Sequence, residues 1–293
     1  MAITPVSTTK QFTEDNTKNY LLPFILVTSL FFLWGLAYGL LDVLNKHFQE
    51  TLNVGKSQST LLQMAYFGAY FLIALPAGVF MNRYGYKKGV ITGLLLYAIG
   101  AFLFYPSALQ GSFNFFLLSL FILASGLAFL ETAANPYVTV LGEAKSSEVR
   151  LNLSQSFNGV GAFIGPIIAA YLFFGKESKD LGSVKIVYVV IGLIVLLIAG
   201  LFWKTKLPEI KESELVSEAS QDTKPLFAHK NFTSAIIAQF FYVAAQVGIA
   251  ALFINYCTEV SKDITNEDAA ILLSISLALF TIGRFVGTAI MRI

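Results

Sequence analysis

Roughly eight apolar runs of helical length succeed one another along the chain. They lie at about Tyr20–Leu44, Thr60–Met81, Gly89–Tyr105, Phe113–Leu141, Leu151–Phe174, Val184–Trp203, Phe232–Tyr256 and Ala269–Ile290. A bilayer core takes about 20 residues of helix to cross, and only helices or closed barrels satisfy backbone polar groups in lipid. The expected fold class is therefore an all-α membrane protein with many spans. Composition agrees, since 56% of the 293 residues are hydrophobic and 13% are charged, against about 25% charge in soluble domains.

The same composition excludes several functions. A net charge of +2 with no basic patch gives nothing for nucleic acid to bind. The single Cys257 has no partner for a disulfide or a CxxC pair and reads as a packing residue. His47 and His229 are far apart in sequence, which leaves no metal-ligand spacing. No nucleophile–base pair, phosphate loop or metal cluster is evident, so neither an enzyme nor a cofactor is expected.

Short loops between runs imply antiparallel neighbours. One long polar connection, residues 204–230, carries Glu209, Lys211, Glu212, Glu214, Glu218, Asp222 and Lys224 and reads as a linker. The expected organisation is a cytoplasmic tail over 1–19, a six-helix bundle over 20–203, the linker over 204–230 and the start of a second bundle over 231–293. With the N-terminus inside, inner segments hold Lys10, Lys18, Arg83, Lys87, Lys88, Lys145, Arg150, Lys204, Lys206, Lys211, Lys224, Lys230 and Arg292. Outer segments hold Lys46, Lys56, Lys176, Lys179, Lys185 and Lys262, roughly half as many. That bias predicts a cytoplasmic N-terminus.

A repeat emerges at a register of about 209 residues: Phe31 and Phe32 fall on Phe240 and Phe241, Gly39 on Gly248, Glu50 on Glu259, Gly78 on Gly287 and Arg83 on Arg292. Parallel repeats about an axis along the membrane normal are an established transporter architecture, with the binding site between the halves. The first repeat has six spans and the second has two, so the expectation is a truncated second bundle lacking about four helices.

Within the fourth run, Glu131 interrupts an otherwise apolar stretch. A charged acid at that depth costs about 3 kcal/mol on insertion scales and normally faces a cavity or a partner. Asn135 follows one turn later on the same face, and Gln155 and Asn158 share a face of the fifth run at i, i+3. Amides and a carboxyl suit sugar hydroxyls, which both donate and accept. Amides in membrane helices also serve as plain interhelical glue. Asp42 in the first run is expected on the outer half of the same cavity, with a helix-end pair to Lys46 as the plain alternative. Tyr66 and Tyr70, at i, i+4, can stack on a sugar ring or simply pack. Arg284 in the last run is expected to snorkel to the inner edge.

Two motifs carry a family resemblance. Gly78-Val-Phe-Met-Asn82-Arg83-Tyr-Gly85-Tyr-Lys87-Lys88 resembles the cytoplasmic gate signature between the second and third helices of the major facilitator superfamily. The usual Asp of that signature is here Asn82, which removes the ionic part of the lock. The stretch Glu131-Thr-Ala-Ala-Asn135-Pro136, followed by Arg150-Leu-Asn152-Leu-Ser-Gln155-Ser-Phe-Asn158, resembles the fucose–galactose–glucose proton-symporter branch of that superfamily. Leu33-Trp34-Gly35 and the run Gln63 to Phe71 fit the same branch, and Tyr38 to Phe48 looks more like its glucose/galactose members. The resemblance implies a secondary transporter that imports a hexose with a coupling cation, H+ or alternatively Na+, by alternating access. It implies proton coupling at Glu131 and substrate binding at Asn158, Gln155, Asp42 and Asn135. It implies a monomer in contact with lipid in the bacterial inner membrane. Two alternatives stand beside it. Gly161-Ala-Phe-Ile-Gly165-Pro166 is similar to an element of drug–proton exporters, and the missing helices fit a sugar sensor or an inert fragment.

Overall fold

The computed structural model describes residues 21–142, 146–174, 181–205 and 228–290. Eight helices in it are long and apolar enough to span a membrane, and the described residues contain no strand. In order, the spans are Leu21–Thr51, Leu61–Tyr84 with the short helix Lys56–Ser59 leading into it, Tyr86–Gln110, Phe113–Val140, Ser147–Phe173, Gly182–Lys204, Lys230–Val260 and Asn266–Ile290. Most run a few residues past the apolar stretch that predicts them, because helical hydrogen bonding continues into polar sequence after the hydrocarbon ends. The expected tail and most of the expected linker lie outside the described residues, as does the Arg284 side chain.

The first helix is the spine of the bundle, and glycines allow its closest contact. A Cβ on Gly35 would lie 1.9 Å from the Asn158 carbonyl oxygen, and one on Gly161 would lie 2.3 Å from that of Phe32. Gly39 and Gly165 meet one turn further along. The first and fifth helices therefore touch backbone to backbone, as small residues permit between membrane helices. The Gly161–Gly165 spacing, similar to an exporter element in sequence, is occupied here by packing. The third and fourth helices meet the same way, at Gly93, Gly100 and Gly126. The sixth is held to the third by Tyr188 stacked on Phe104, with ring centroids 3.7 Å apart.

The gate-like motif forms the turn between the second and third helices. Gly85, at φ 88°, makes the turn in a conformation that side chains with a Cβ disfavour. The close helix approach here is at Gly89, where a Cβ would lie 2.7 Å from Met81, whereas Gly78 faces open space. Asn82, Arg83 and Lys88 are exposed. Lys87 Nζ donates to the carbonyls of Trp203 (2.9 Å) and Thr205 (2.8 Å), so a cation caps the end of the sixth helix.

The first and seventh helices are each 31 residues long, and both of their ends coincide at the 209-residue register. The seventh helix meets the first and the eighth, and the eighth packs along the fifth, where Ser274 Oγ donates to the Phe163 carbonyl.

Candidate functional site

A cavity of about 790 Å³ lies among the first, second, fourth, fifth, seventh and eighth helices. Its walls come from the middle of the first helix (Trp34, Tyr38), from Tyr66, Phe67 and Tyr70 of the second, and from Glu131 of the fourth. The fifth helix contributes the half nearest Ser147, and the seventh and eighth contribute Gln239 to Val247 and Leu277 to Phe285. The cavity therefore occupies the middle of the bundle and the half next to the second–third turn. Toward the opposite end the helices close. There Asn45 Nδ2 donates 2.8 Å to the Ala251 carbonyl, joining the first and seventh helices.

Glu131 is half-buried and borders this cavity. It also borders a smaller one of about 490 Å³, between the second and fourth helices, lined in addition by Tyr70, Thr132 and Asn135. Among the described residues no Lys, Arg or His pairs with its carboxylate. An intramembrane acid held this way is neither facing lipid alone nor neutralised by a fixed cation.

Asn135 and Gln155 stand on either side of that junction. Gln155 Nε2 donates 3.0 Å to Asn135 Oδ1, and Asn135 Nδ2 donates 3.1 Å to the Glu131 carbonyl. Gln155 lines the large cavity and Asn135 the small one. Asn158 borders the large cavity while its Nδ2 donates 3.2 Å to the Phe31 carbonyl, so it serves as wall and interhelical tie together. Arg150, at the start of the fifth helix, donates to the carbonyls of Val138 (3.2 Å) and Thr139 (2.6 Å). It thereby caps the fourth helix below Glu131.

Asp42 departs from both of its expectations. It is 1% exposed and does not border the large cavity, because the closed helices around the Thr51 end of the first helix cover it. Lys46 pairs with Glu50 at 3.3 Å rather than with Asp42. Both Asp42 oxygens lack a hydrogen-bond partner among the described residues. Tyr66 and Tyr70 do line the cavity, with ring centroids 5.3 Å apart.

The sequence reading missed the wall provided by the seventh helix. Gln239, Tyr242 and Gln246 line the cavity, at i, i+3 and i+7 on one helix face. Two glutamines seven apart in an apolar span are the same kind of signal as Gln155 and Asn158, and that signal could have found them.

The model of the family described as Major Facilitator Superfamily matches residues 25–293. The chain is 39% identical to the L-fucose-proton symporter of Escherichia coli (strain K12), over 93% of this chain and 68% of that protein. It is 34% identical to the glucose/galactose transporter of Brucella abortus, over 95% of this chain and 69% of that protein. A drug efflux pump of Mycobacterium tuberculosis is 28% identical over 57% of this chain and 33% of that protein. Among solved structures, the E. coli fucose:proton symporter superposes with a TM-score of 0.69 at 37% identity, covering 94% of this chain and 72% of that one.

Proposed function

Because the chain belongs to the major facilitator superfamily, we propose that it is a secondary active transporter that imports a hexose together with a proton by alternating access. The observation that carries this reading is Glu131. It is an acid with no cationic partner among the described residues, on the wall of a cavity of about 790 Å³, large enough for a monosaccharide, with amides on both flanks. Relatives named as proton symporters of fucose and transporters of glucose and galactose favour the same substrate class. The substrate is left at that class, since identities of 39% and 34% do not separate the two.

In this reading Glu131 takes and releases the coupling proton through whichever cavity is open to water. Asn158 and Gln155 offer amides to the sugar hydroxyls, and Asn135 holds Gln155 in place. Asp42 joins the site when the outer half of the first helix parts from the seventh. The cavity reaches toward the end rich in Lys and Arg, so the conformation is inward-facing if that end is cytoplasmic. We place the N-terminus in the cytoplasm, the protein in a bacterial inner membrane, and the working unit as a monomer in lipid. The exposed Arg83 and Lys88, with Asn82 beside them, sit where an inner gate would close.

The test is uptake into proteoliposomes of labelled galactose, glucose and fucose, driven by an imposed pH gradient, with choline replacing sodium in a parallel arm. Accumulation is expected without sodium. Glu131→Gln is expected to retain sugar counterflow and lose accumulation. If Glu131→Ala accumulates sugar against its gradient at the normal rate, Glu131 is not the proton carrier. Export of a fluorescent cation without sugar uptake would instead favour the exporter reading. Sugar binding without counterflow would favour a sensor.

A further inference from the structure

Two carboxylates beyond the cavity, Glu50 and Glu259, sit at the same end of the molecule and at matching positions in the two repeats. Each is gripped from the other repeat. Lys56 Nζ, at the first–second turn, donates to Glu259 Oε1 at the end of the seventh helix. In the opposite direction, Asn266 Nδ2, at the seventh–eighth turn, donates 2.7 Å to Glu50 Oε1 at the end of the first. At the 209-residue register Asn266 falls on Ser57, the residue after Lys56. The two contacts are therefore near-equivalents exchanged between the halves, as in an isologous contact about a two-fold axis.

Both donors stand on anchored backbone. Ser59 Oγ donates 2.8 Å to the Lys56 carbonyl and accepts 2.9 Å from Gln49 Nε2, and Ser59 is fully buried. The eighth helix starts in a reciprocal cap: the Asp268 N–H donates 3.1 Å to Thr265 Oγ1, and the Thr265 N–H donates 3.2 Å to Asp268 Oδ2. Neither donor has to be recruited from a disordered loop. One turn below, the buried Asn45 bond to the Ala251 carbonyl joins the same two helices.

We propose that Lys56–Glu259 and Glu50–Asn266 form a reciprocal latch that holds the outer side of the cavity shut and must break once in each cycle. The latch rests on the alternating-access reading above and specifies which contacts set its outer gate. Lys56 and Glu259 are each 56% exposed, so water competes for both, and an exposed pair contributes little by itself. That suits a contact which must open repeatedly: two weak arms on rigid mounts bias an equilibrium without freezing it.

The test is a distance measurement on the full chain in lipid nanodiscs, with Cys257→Ser and nitroxides on cysteines placed at Gln58 and Lys262. Lys56→Glu is expected to raise the population with separated tips by about fivefold, the scale of one exposed pair turned repulsive. Asn266→Ala, which removes the donor to Glu50 on the second arm and leaves Lys46 as that carboxylate's partner, is expected to act in the same direction. The swap Lys56→Glu with Glu259→Lys is expected to return the distribution toward that of the parent. An unchanged distribution in both single variants, or a swap that fails to restore it, overturns the latch. The readout uses neither sugar nor a pH gradient, so its failure is distinct from a failure of the transport reading.

Discussion

On the first-bundle side of the cavity, the first helix buries 67% of its most apolar stretch against its own bundle and the seventh helix, whereas the seventh buries 11% of its own against the first and eighth helices. The fourth and fifth helices are tied by Gln155 to Asn135 and by Arg150 to the last carbonyls of the fourth, and the fifth is tied to the first by Asn158 and paired glycines. Across the seam, the first and seventh helices are joined through Asn45 and the far-end turns. Within the first bundle helices also meet backbone to backbone, and the bonds across the seam are side-chain contacts. A carrier that rocks needs this asymmetry in what is bonded to what, because elements joined within a half move as one body while contacts between halves exchange. Glu131 and the amides beside it then belong to the first bundle's wall, fixed by those bonds.

The largest effect should come from the fixed wall's acid. Glu131→Ala is expected to reduce proton-driven sugar accumulation to the level of empty liposomes, as read by uptake of label against a gradient. Next comes the glycine contact. Gly35→Val places a Cβ only 1.9 Å from a backbone carbonyl that cannot swing away, so the first and fifth helices must separate. Overpacking of this kind costs about 1–3 kcal/mol or more, and a lower melting temperature with loss of monodisperse protein is expected in detergent. The same change at Gly200, exposed on the sixth helix where a Cβ would meet nothing within 4 Å, is expected to leave both measurements near those of the parent. If the two variants behaved alike, the glycine contact would not be what joins the first and fifth helices.

Much of this architecture is legible in the sequence because lipid imposes a coarse rule, length plus apolarity, that eight segments satisfy. The 209-residue register was equally visible, and the matching ends of the first and seventh helices reproduce it. Glu131 stood out for the same reason, since an acid in hydrocarbon needs an explanation. What the sequence could not supply was direction around the helix axes. Asn135 shares a face with Glu131, yet lines only the smaller cavity, because Gln155 from another helix stands between it and the larger one. Asp42 lies behind the closed seam between the first and seventh helices, which depends on contacts about 200 residues apart along the chain (Asn45 with Ala251). Gly161 and Gly165 pack against the first helix, a partner that their spacing alone does not identify.

The amides sharpen the comparison at smaller scale. Asn158→Ala removes both a cavity amide and a tie to the Phe31 carbonyl. Losing one hydrogen bond of this kind is worth about 0.5–1.5 kcal/mol, so KM for sugar is expected to rise about tenfold, with a measurable drop in thermal stability. Gln246→Ala removes a cavity amide of the seventh helix whose side chain makes no hydrogen bond among the described residues. Its KM is expected to rise about threefold with thermal stability unchanged. Measuring both quantities for both variants separates a residue that only meets substrate from one that also holds two helices together. A stability loss in Gln246→Ala as large as that in Asn158→Ala would mean that the seventh helix is built into the bundle as firmly as the fifth.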